Sequence, residues 1–302
     1  VNKTTSAVVS VYESDTWTNN NVQIKLQSEN VGAGIKEYQV KIGKSGTWTA
    51  KGVTTSSNSG TMTISTDMND TIYFRAVDNN GIISEESSII VKRDTVNPTN
   101  CLAEKQYNAF PNNTYSVLNA TMDSNYNVKT TSSNPRIILS NVGRYTKTTA
   151  IIIKFKTAVS DIGSIQVFYG NTNSFTEQNS RIIESSQVTG KKEVRVEIPE
   201  GTYNYIRCDI GNKLGVSYQL SGIYFVTKSD LWNNGSIRVK LSSTDTQSGV
   251  KGYQWYSGGW KTSPITMNNG DGFIEFTDEM NATVQFKSID NADNESTFTT
   301  PI

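Results

Sequence analysis

The chain has 302 residues, 35% of them apolar and 19% charged, with 28 basic and 28 acidic side chains and no histidine. Charge that is balanced and spread along the chain excludes the basic stripe of a nucleic-acid binder. No apolar stretch approaches the roughly 20 residues that a membrane-spanning helix needs. The missing histidine excludes Ser-His-Asp triads, Cys-His pairs, His-bearing zinc sites and a histidine general base.

At roughly 100–200 residues per domain the length predicts two or three domains. Abundant Thr, Ser, Asn, Val, Ile and Tyr, with almost no helix-favouring runs, suit half-buried strands joined by polar turns. The predicted fold class is therefore all-β. Val1–Glu13 reads as the start of a repeat and the chain as part of a longer precursor.

In residues 1–99, Val22, Ile24 and Leu26 alternate with Gln23, Lys25 and Gln27, and Ile72, Phe74 and Ala76 form a second alternating set. One face of each strand is buried and the other wet, as in antiparallel sandwiches. Asp78-Asn79-Asn80-Gly81 reads as a hairpin turn, because Asp, Asn and Gly tolerate positive φ. Arg93–Thr99 reads as a short linker.

Residues 100–228 carry strand patterns at Ile137-Leu139, Ile151-Ile153-Phe155, Ile165-Val167-Tyr169, Val194-Val196-Ile198, Ile206-Cys208-Ile210 and Ile223-Phe225. Polar loops separate them, and the pattern predicts a larger jelly-roll sandwich. Ile223–Val226 either closes this domain or opens the next, and the first assignment is preferred. Cys101 and Cys208 are too few for a disulfide scaffold, and Cys208 reads as a small buried hydrophobe.

Residues 229–302 repeat the first segment. Ser14-Asp15-Thr16-Trp17 returns as Ser229-Asp230-Leu231-Trp232, Gly34-Ile35-Lys36-Glu37-Tyr38 as Gly249-Val250-Lys251-Gly252-Tyr253, and Val77-Asp78-Asn79 as Ile289-Asp290-Asn291. A single short deletion between Gln39 and Trp48 separates the two copies, which indicates duplication. Trp260 aligns with Trp48, so Trp255–Trp260 is read as packing, in the core or between strands, before it is read as a ligand surface.

Trp17-Thr18-Asn19, Val22-x-Ile24-x-Leu26, Gly32-x-Gly34-Ile35-Lys36-x-Tyr38 and Tyr73-Phe74-Arg75-Ala76-Val77-Asp78-Asn79-Asn80-Gly81-x-x-Ser84 resemble the bacterial immunoglobulin-like repeats of Gram-positive surface proteins and secreted glycan-degrading enzymes. The resemblance covers 1–99 and 229–302. It implies two immunoglobulin-like β-sandwiches flanking the jelly roll, serving as spacers or adhesive stalk modules outside the cell. The strand order of the middle segment resembles non-catalytic carbohydrate-binding modules of the galactose-binding type.

Candidate chemistry is sparse. A glycosidase needs two carboxylates across a cleft; Glu184, Glu193, Glu197 and Asp209 are the candidates, but Glu193 and Glu197 fall on the wet side of an alternating strand, and a solvated face explains them better. The chain is expected not to be an enzyme and to need no cofactor. Calcium is the one metal to weigh: Asp123, Asn125 and Asn127 space oxygen ligands two apart, although they lack the Gly and distal Glu of an EF-hand. An Asx-rich turn explains the same residues, while jelly-roll modules of the resembled kind often hold a structural calcium. The ligand-binding candidates are Tyr203, Tyr205, Arg207 and Asp209, which alternate against inward Ile206, Cys208 and Ile210 and could stack on and hydrogen-bond a sugar.

The expected function is that of a non-catalytic segment of a secreted or cell-surface bacterial protein, with a glycan-binding middle domain and spacer repeats. Its partners would be glycans, or host or cell-wall surface components. A structural or protein-binding adhesin stalk and the accessory tail of a secreted glycan-active enzyme are the alternatives.

Overall fold

A computed structural model describes residues 5–8, 12–29, 33–230, 236–262, 264–278 and 280–302. Leu231 and Trp232 of the sequence repeat lie outside the described residues. As expected, the protein is all-β: among the described residues, helix is limited to single turns at Glu177–Asn179 and Ser185–Val188. It divides into two compact units, the first formed by 1–101 with 243–254 and 287–298, the second by 102–242 with 255–286 and 299–302.

The first unit contains a sandwich of two four-stranded sheets. One sheet has the order Thr5–Val8, Val22–Glu29, Ser59–Ile64, Val53–Ser56; the other has the order Trp17–Thr18, Ser87–Arg93, Met68–Asp78, Ile35–Ile42. Strict alternation along Val22–Glu29 buries Val22, Ile24 and Leu26 and exposes the residues between them. They pack with Tyr38, Val40, Ile72, Phe74 and Val91 in one apolar cluster. Tyr38 is fully buried and lies across Gly60, where an added Cβ would come within 2.7 Å of the ring. The Tyr38 hydroxyl donates to Asn58 O.

The duplication is visible in three dimensions. Phe74 and Phe286 are both fully buried. Asp78 Oδ1 accepts the N–H groups of Asn80 and Ile82, and Asp290 Oδ1 accepts those of Ala292 and Asn294. Ser84 Oγ accepts Ala76 N–H, as Ser296 Oγ accepts Ser288 N–H. Gly34 and Gly249 both take a left-handed backbone, at φ 75° and 79°, a conformation nearly free of steric cost only for glycine.

Arg93–Thr99, read from sequence as an ordinary linker, is held down. Arg93 pairs with Asp67 at 2.7 Å, and Asp94, fully buried, accepts N–H groups from Val96 and Ser248. Asn294 Nδ2 donates to Asp94 O at 3.0 Å. Linker composition marks a change of element and says nothing about what the backbone rests on, which is why these anchors were invisible in one dimension.

In the second unit a five-stranded sheet runs in the order Tyr115–Leu118, Arg136–Ser140, Tyr205–Ile210, Ile165–Gly170, Ser180–Ile183. Opposite it, Ser217–Thr227 pairs antiparallel with both Thr148–Phe155 and Thr99–Phe110, and Glu193–Gly201 extends the sheet beyond Thr148–Phe155. Ile223–Val226 therefore sits in the middle of this sheet. Ile137, Leu139, Val167, Ile206 and Cys208 from one sheet pack with Ile151, Ile153, Val196, Ile223 and Phe225 from the other. The run Ile151-Ile152-Ile153 is buried on both faces, with Ala150 and Ile152 in a second cluster with Tyr224 and Val226. A continuous apolar run is the expected signature of such a strand.

Both cysteines are free thiols. Cys208 is fully buried, and burial pushes its thiol well above the usual range, so it behaves as an inert apolar side chain. The inward assignment of Ile206, Cys208 and Ile210 holds.

A loop of this unit supplies a pH marker. Asp161 accepts Lys213 Nζ at 2.5 Å, Ser185 Oγ at 2.7 Å and the Gly163 N–H at 3.1 Å, and these bonds, that of Lys213 foremost, hold its carboxyl at about 2. An NMR titration is expected to find Asp161 there and to find it well above that value in Lys213→Met. Because the folded value lies below the unfolded value of about 3.9, the interaction stabilises the fold above that pH and is lost as pH falls through about 2.

Candidate functional site

Strand Tyr205–Ile210 directs Ile206, Cys208 and Ile210 inward, so parity sends Arg207 and Asp209 to the opposite face. That face is covered. Arg207 forms a two-pronged salt bridge with Asp209, and each side chain is only 12% exposed. The guanidinium lies over Phe168 at 4.2 Å, Phe168 packs edge-on against Phe175 at 6.1 Å, and the Asn134 amide reaches Asp209 Oδ2 at 2.9 Å. Burial raises the Asp209 carboxyl above its ordinary value, while Arg207 pulls it back down. The structure joins these two residues to each other. Tyr205, half-buried, is opposite Gly170 on one side and Ser140 on the other.

Tyr203 takes a different position. It lies in the turn before the strand, and its hydroxyl donates to Pro199 O at 2.6 Å. Gly201 lets the ring lie flat on the backbone, since a Cβ there would meet Tyr203 Cζ at 2.7 Å. The ring packs against Tyr169 at 5.1 Å between centroids, tilted by 58°. Burial pushes the Tyr203 hydroxyl above the usual tyrosine range, so it stays protonated and able to donate. The Arg181 guanidinium is 5.9 Å from the Tyr169 ring centroid. Tyr169, Tyr203 and Arg181, with the amide side chains of Asn171, Gln178 and Asn179, line a shallow cleft of about 450 Å³. No carboxylate lines it among the described residues.

The remaining carboxylates of the sequence search are dispersed. Glu193 pairs with Arg238 at 3.0 Å, Glu197 pairs with Arg195 at 2.5 Å, and Glu184 sits exposed before the short helical turn. No two of them face one another across the cleft.

The Asp123–Asn127 loop closes on itself. Asp123 Oδ1 accepts the N–H groups of Asn125 and Asn127 at 2.9 Å each, and Oδ2 accepts Asn127 Nδ2 at 2.8 Å. These bonds, that of the Asn127 amide foremost, lower the Asp123 carboxyl below its ordinary value. Asn125 donates its N–H to Asp123 and accepts Gln219 Nε2 at its own carbonyl. This is the geometry of an Asx turn.

A second acidic group appears only in three dimensions. Asp94, Asp245 and Asp290 bring carboxylate oxygens within 4.8 Å of one another. Such oxygens are the hard donors that calcium takes. Each also accepts N–H groups of its own loop: Asp94 from Val96, Asp245 from Gln247 and Gly249, Asp290 from Ala292 and Asn294. The aromatic hairpin of the last segment is a packing element: Trp260 stands across from Tyr256 with ring centroids 5.3 Å apart, and Trp255 rests on Phe276 at 5.4 Å. Trp260 is 37% exposed, so its packing is between strands rather than in a core.

No protein-family model matches the chain, and no curated protein does. Among solved structures it is similar to a low-affinity xylan-binding module from the gut symbiont Roseburia intestinalis, at 10% identity and a TM-score of 0.28, over 41% of this chain and 96% of that one. It is also similar to a SusE-like protein, at 11% identity and a TM-score of 0.28, over 71% of this chain and 95% of that one.

Of the residues lining this cleft, Tyr203 is a candidate in the sequence and the others are not. Tyr169 reads from sequence as one of an inward set and is indeed buried, 6% exposed, in the core beneath the cleft, while Asn171, Gln178, Asn179 and Arg181 fall in a polar loop and on an edge strand with no periodicity to mark them. The adjacent pair Phe168-Tyr169, which puts aromatic rings on both faces of one strand, was the available signal.

Proposed function

We propose that this chain is a non-catalytic segment of a secreted or cell-surface protein, and that its middle region, residues 100–228, binds glycan in the cleft lined by Tyr169 and Tyr203. In this reading residues 1–99 and 229–302 are immunoglobulin-like spacer repeats, and the partner is a glycan of a host or cell-wall surface. One observation carries it: the half-buried Tyr203 ring, backed at 5.1 Å by the buried Tyr169, lies beside side-chain amides and a guanidinium in an open, shallow cleft. Tyrosine rings offer an apolar face to the C–H face of a pyranose while their hydroxyls remain polar. Amides supply paired donors and acceptors for sugar hydroxyls. A shallow opening suits a polymer lying across the surface rather than a small molecule enclosed by it.

The test is affinity electrophoresis of the full chain through gels carrying a panel of neutral and acidic polysaccharides. At least one polysaccharide is expected to retard the wild-type chain, and Tyr203→Ala is expected to weaken that retardation by about tenfold, the effect of losing one stacking contact worth about 1.5 kcal/mol. Melting curves establish that the variant is folded. A chain retarded by no polysaccharide, or a folded Tyr203→Ala retarded as strongly as wild type, overturns the reading. The first of those outcomes leaves the stalk alternative.

A further inference from the structure

Resting on the glycan reading, we infer that the cleft selects acidic polysaccharide, with a sugar-borne carboxylate received by Arg181. Four of the eight arginines pair with a carboxylate of the chain. Arg93 pairs with Asp67, Arg195 with Glu104 and Glu197, Arg207 with Asp209, and Arg238 with Glu193. Arg181 differs. Its one hydrogen bond runs from NH1 to the carbonyl of its neighbour Ser180 at 2.8 Å, and no carboxylate among the described residues pairs with it. The side chain is exposed and lies at the edge of the Tyr169 ring, inside the cleft lining.

The surroundings have one sign. The polar groups of the lining are the guanidinium, two phenols and the amides of Asn171, Gln178 and Asn179, with no acidic side chain to repel an anion. Of the acids adjacent in sequence to the lining, Glu177 accepts Gln166 Nε2 at 2.6 Å and Glu200 pairs with Lys228 at 2.7 Å. A carboxylate entering beside Tyr169 therefore meets a positive group with free N–H donors and no competing anion. The planar fork of a guanidinium matches a planar carboxylate with two parallel hydrogen bonds, which a neutral hydroxyl or ester cannot reproduce. A uronate residue has the required form, because its ring stacks on the half-buried Tyr203 while the C6 carboxylate projects from the ring edge toward the arginine. The chain as a whole has zero formal charge, so preference for a polyanion has to come from a local site rather than from the field of the whole protein.

The experiment compares polygalacturonate, alginate and hyaluronan with the fully methyl-esterified form of each, in affinity gels at neutral pH, using the full chain and its Arg181→Gln variant. Esterification keeps the sugar backbone and removes only the charge. At least one acid form is expected to retard the wild-type chain about tenfold more strongly than its ester, and Arg181→Gln is expected to bring the two forms to equal retardation. Retardation by neutral polysaccharides or by the esters alone overturns this inference and leaves the glycan reading standing. A preference for the acid form that persists in Arg181→Gln also overturns it. A chain retarded by none of the polysaccharides, neutral or acidic, removes both.

Discussion

Arg207→Ala is expected to lower the unfolding free energy of the second unit by about 3–5 kcal/mol, the usual cost of breaking a buried ion pair from one side. Arg207 and Asp209 are each 12% exposed and bonded through both guanidinium prongs, so removing the cation leaves a carboxylate enclosed by Phe168, Phe175 and Asn134 with little to compensate it. Part of the loss is apolar, because the guanidinium also covers the Phe168 ring. Urea unfolding monitored by near-ultraviolet signals measures it, and Arg207→Ala with Asp209→Asn in one chain should lose less than the two single losses added together.

The pH dependence of that variant follows from the same geometry. Burial already raises the Asp209 carboxyl, and without Arg207 it rises further. A carboxyl raised in the folded state favours the fold when protonated. The deficit of Arg207→Ala should therefore be smallest in acid, below the unfolded carboxyl value, and should grow to its full size as pH rises through the folded one. A deficit that stays constant with pH would mean that the lost interaction is packing and not charge.

Phe225→Ala is expected to cost about 3–5 kcal/mol, the range for deleting a buried aromatic. Phe225 is fully buried, stacks on Tyr145 at 4.7 Å, and belongs to a strand hydrogen-bonded on both sides, opposite Ile151 and Tyr107. Tyr145 cannot collapse into the cavity without cost, since its hydroxyl is held by Asn113 and Arg144. Ile182→Ala is the contrast: Ile182 is 53% exposed on an edge strand, and its loss should stay within about 0.5 kcal/mol. Thermal and urea melts of the two variants distinguish a core strand from an edge one.

Arg207 and Phe225 also mark what could be read in one dimension. The parity of Tyr205–Ile210 was legible, and Ile206, Cys208 and Ile210 point inward as expected. The meaning of the opposite parity was not. Alternation says that Arg207 and Asp209 share a face, but whether that face meets solvent depends on Phe168 from the neighbouring strand and Phe175 from a loop. Likewise the apolar alternation of Ile223 and Phe225 marked a strand without indicating which sheet would take it; its pairing with Thr148–Phe155 and Thr99–Phe110 settles that.

Local pattern alone was enough for the all-β class and for the duplication, because period-two alternation and turn chemistry act over a few residues and are written directly in the chain. Asp78 and Asp290 accept the same pair of turn N–H groups, and Phe74 and Phe286 are both fully buried, since similar local sequences have similar local solutions. The cleft was decided by tertiary structure. Tyr169, Arg181 and Tyr203 come from three separate segments, and only the strand order of the five-stranded sheet and the fold-back of Tyr203 over Gly201 place them together. Lateral proximity of that kind depends on which strands become neighbours, a long-range outcome that no window of sequence contains.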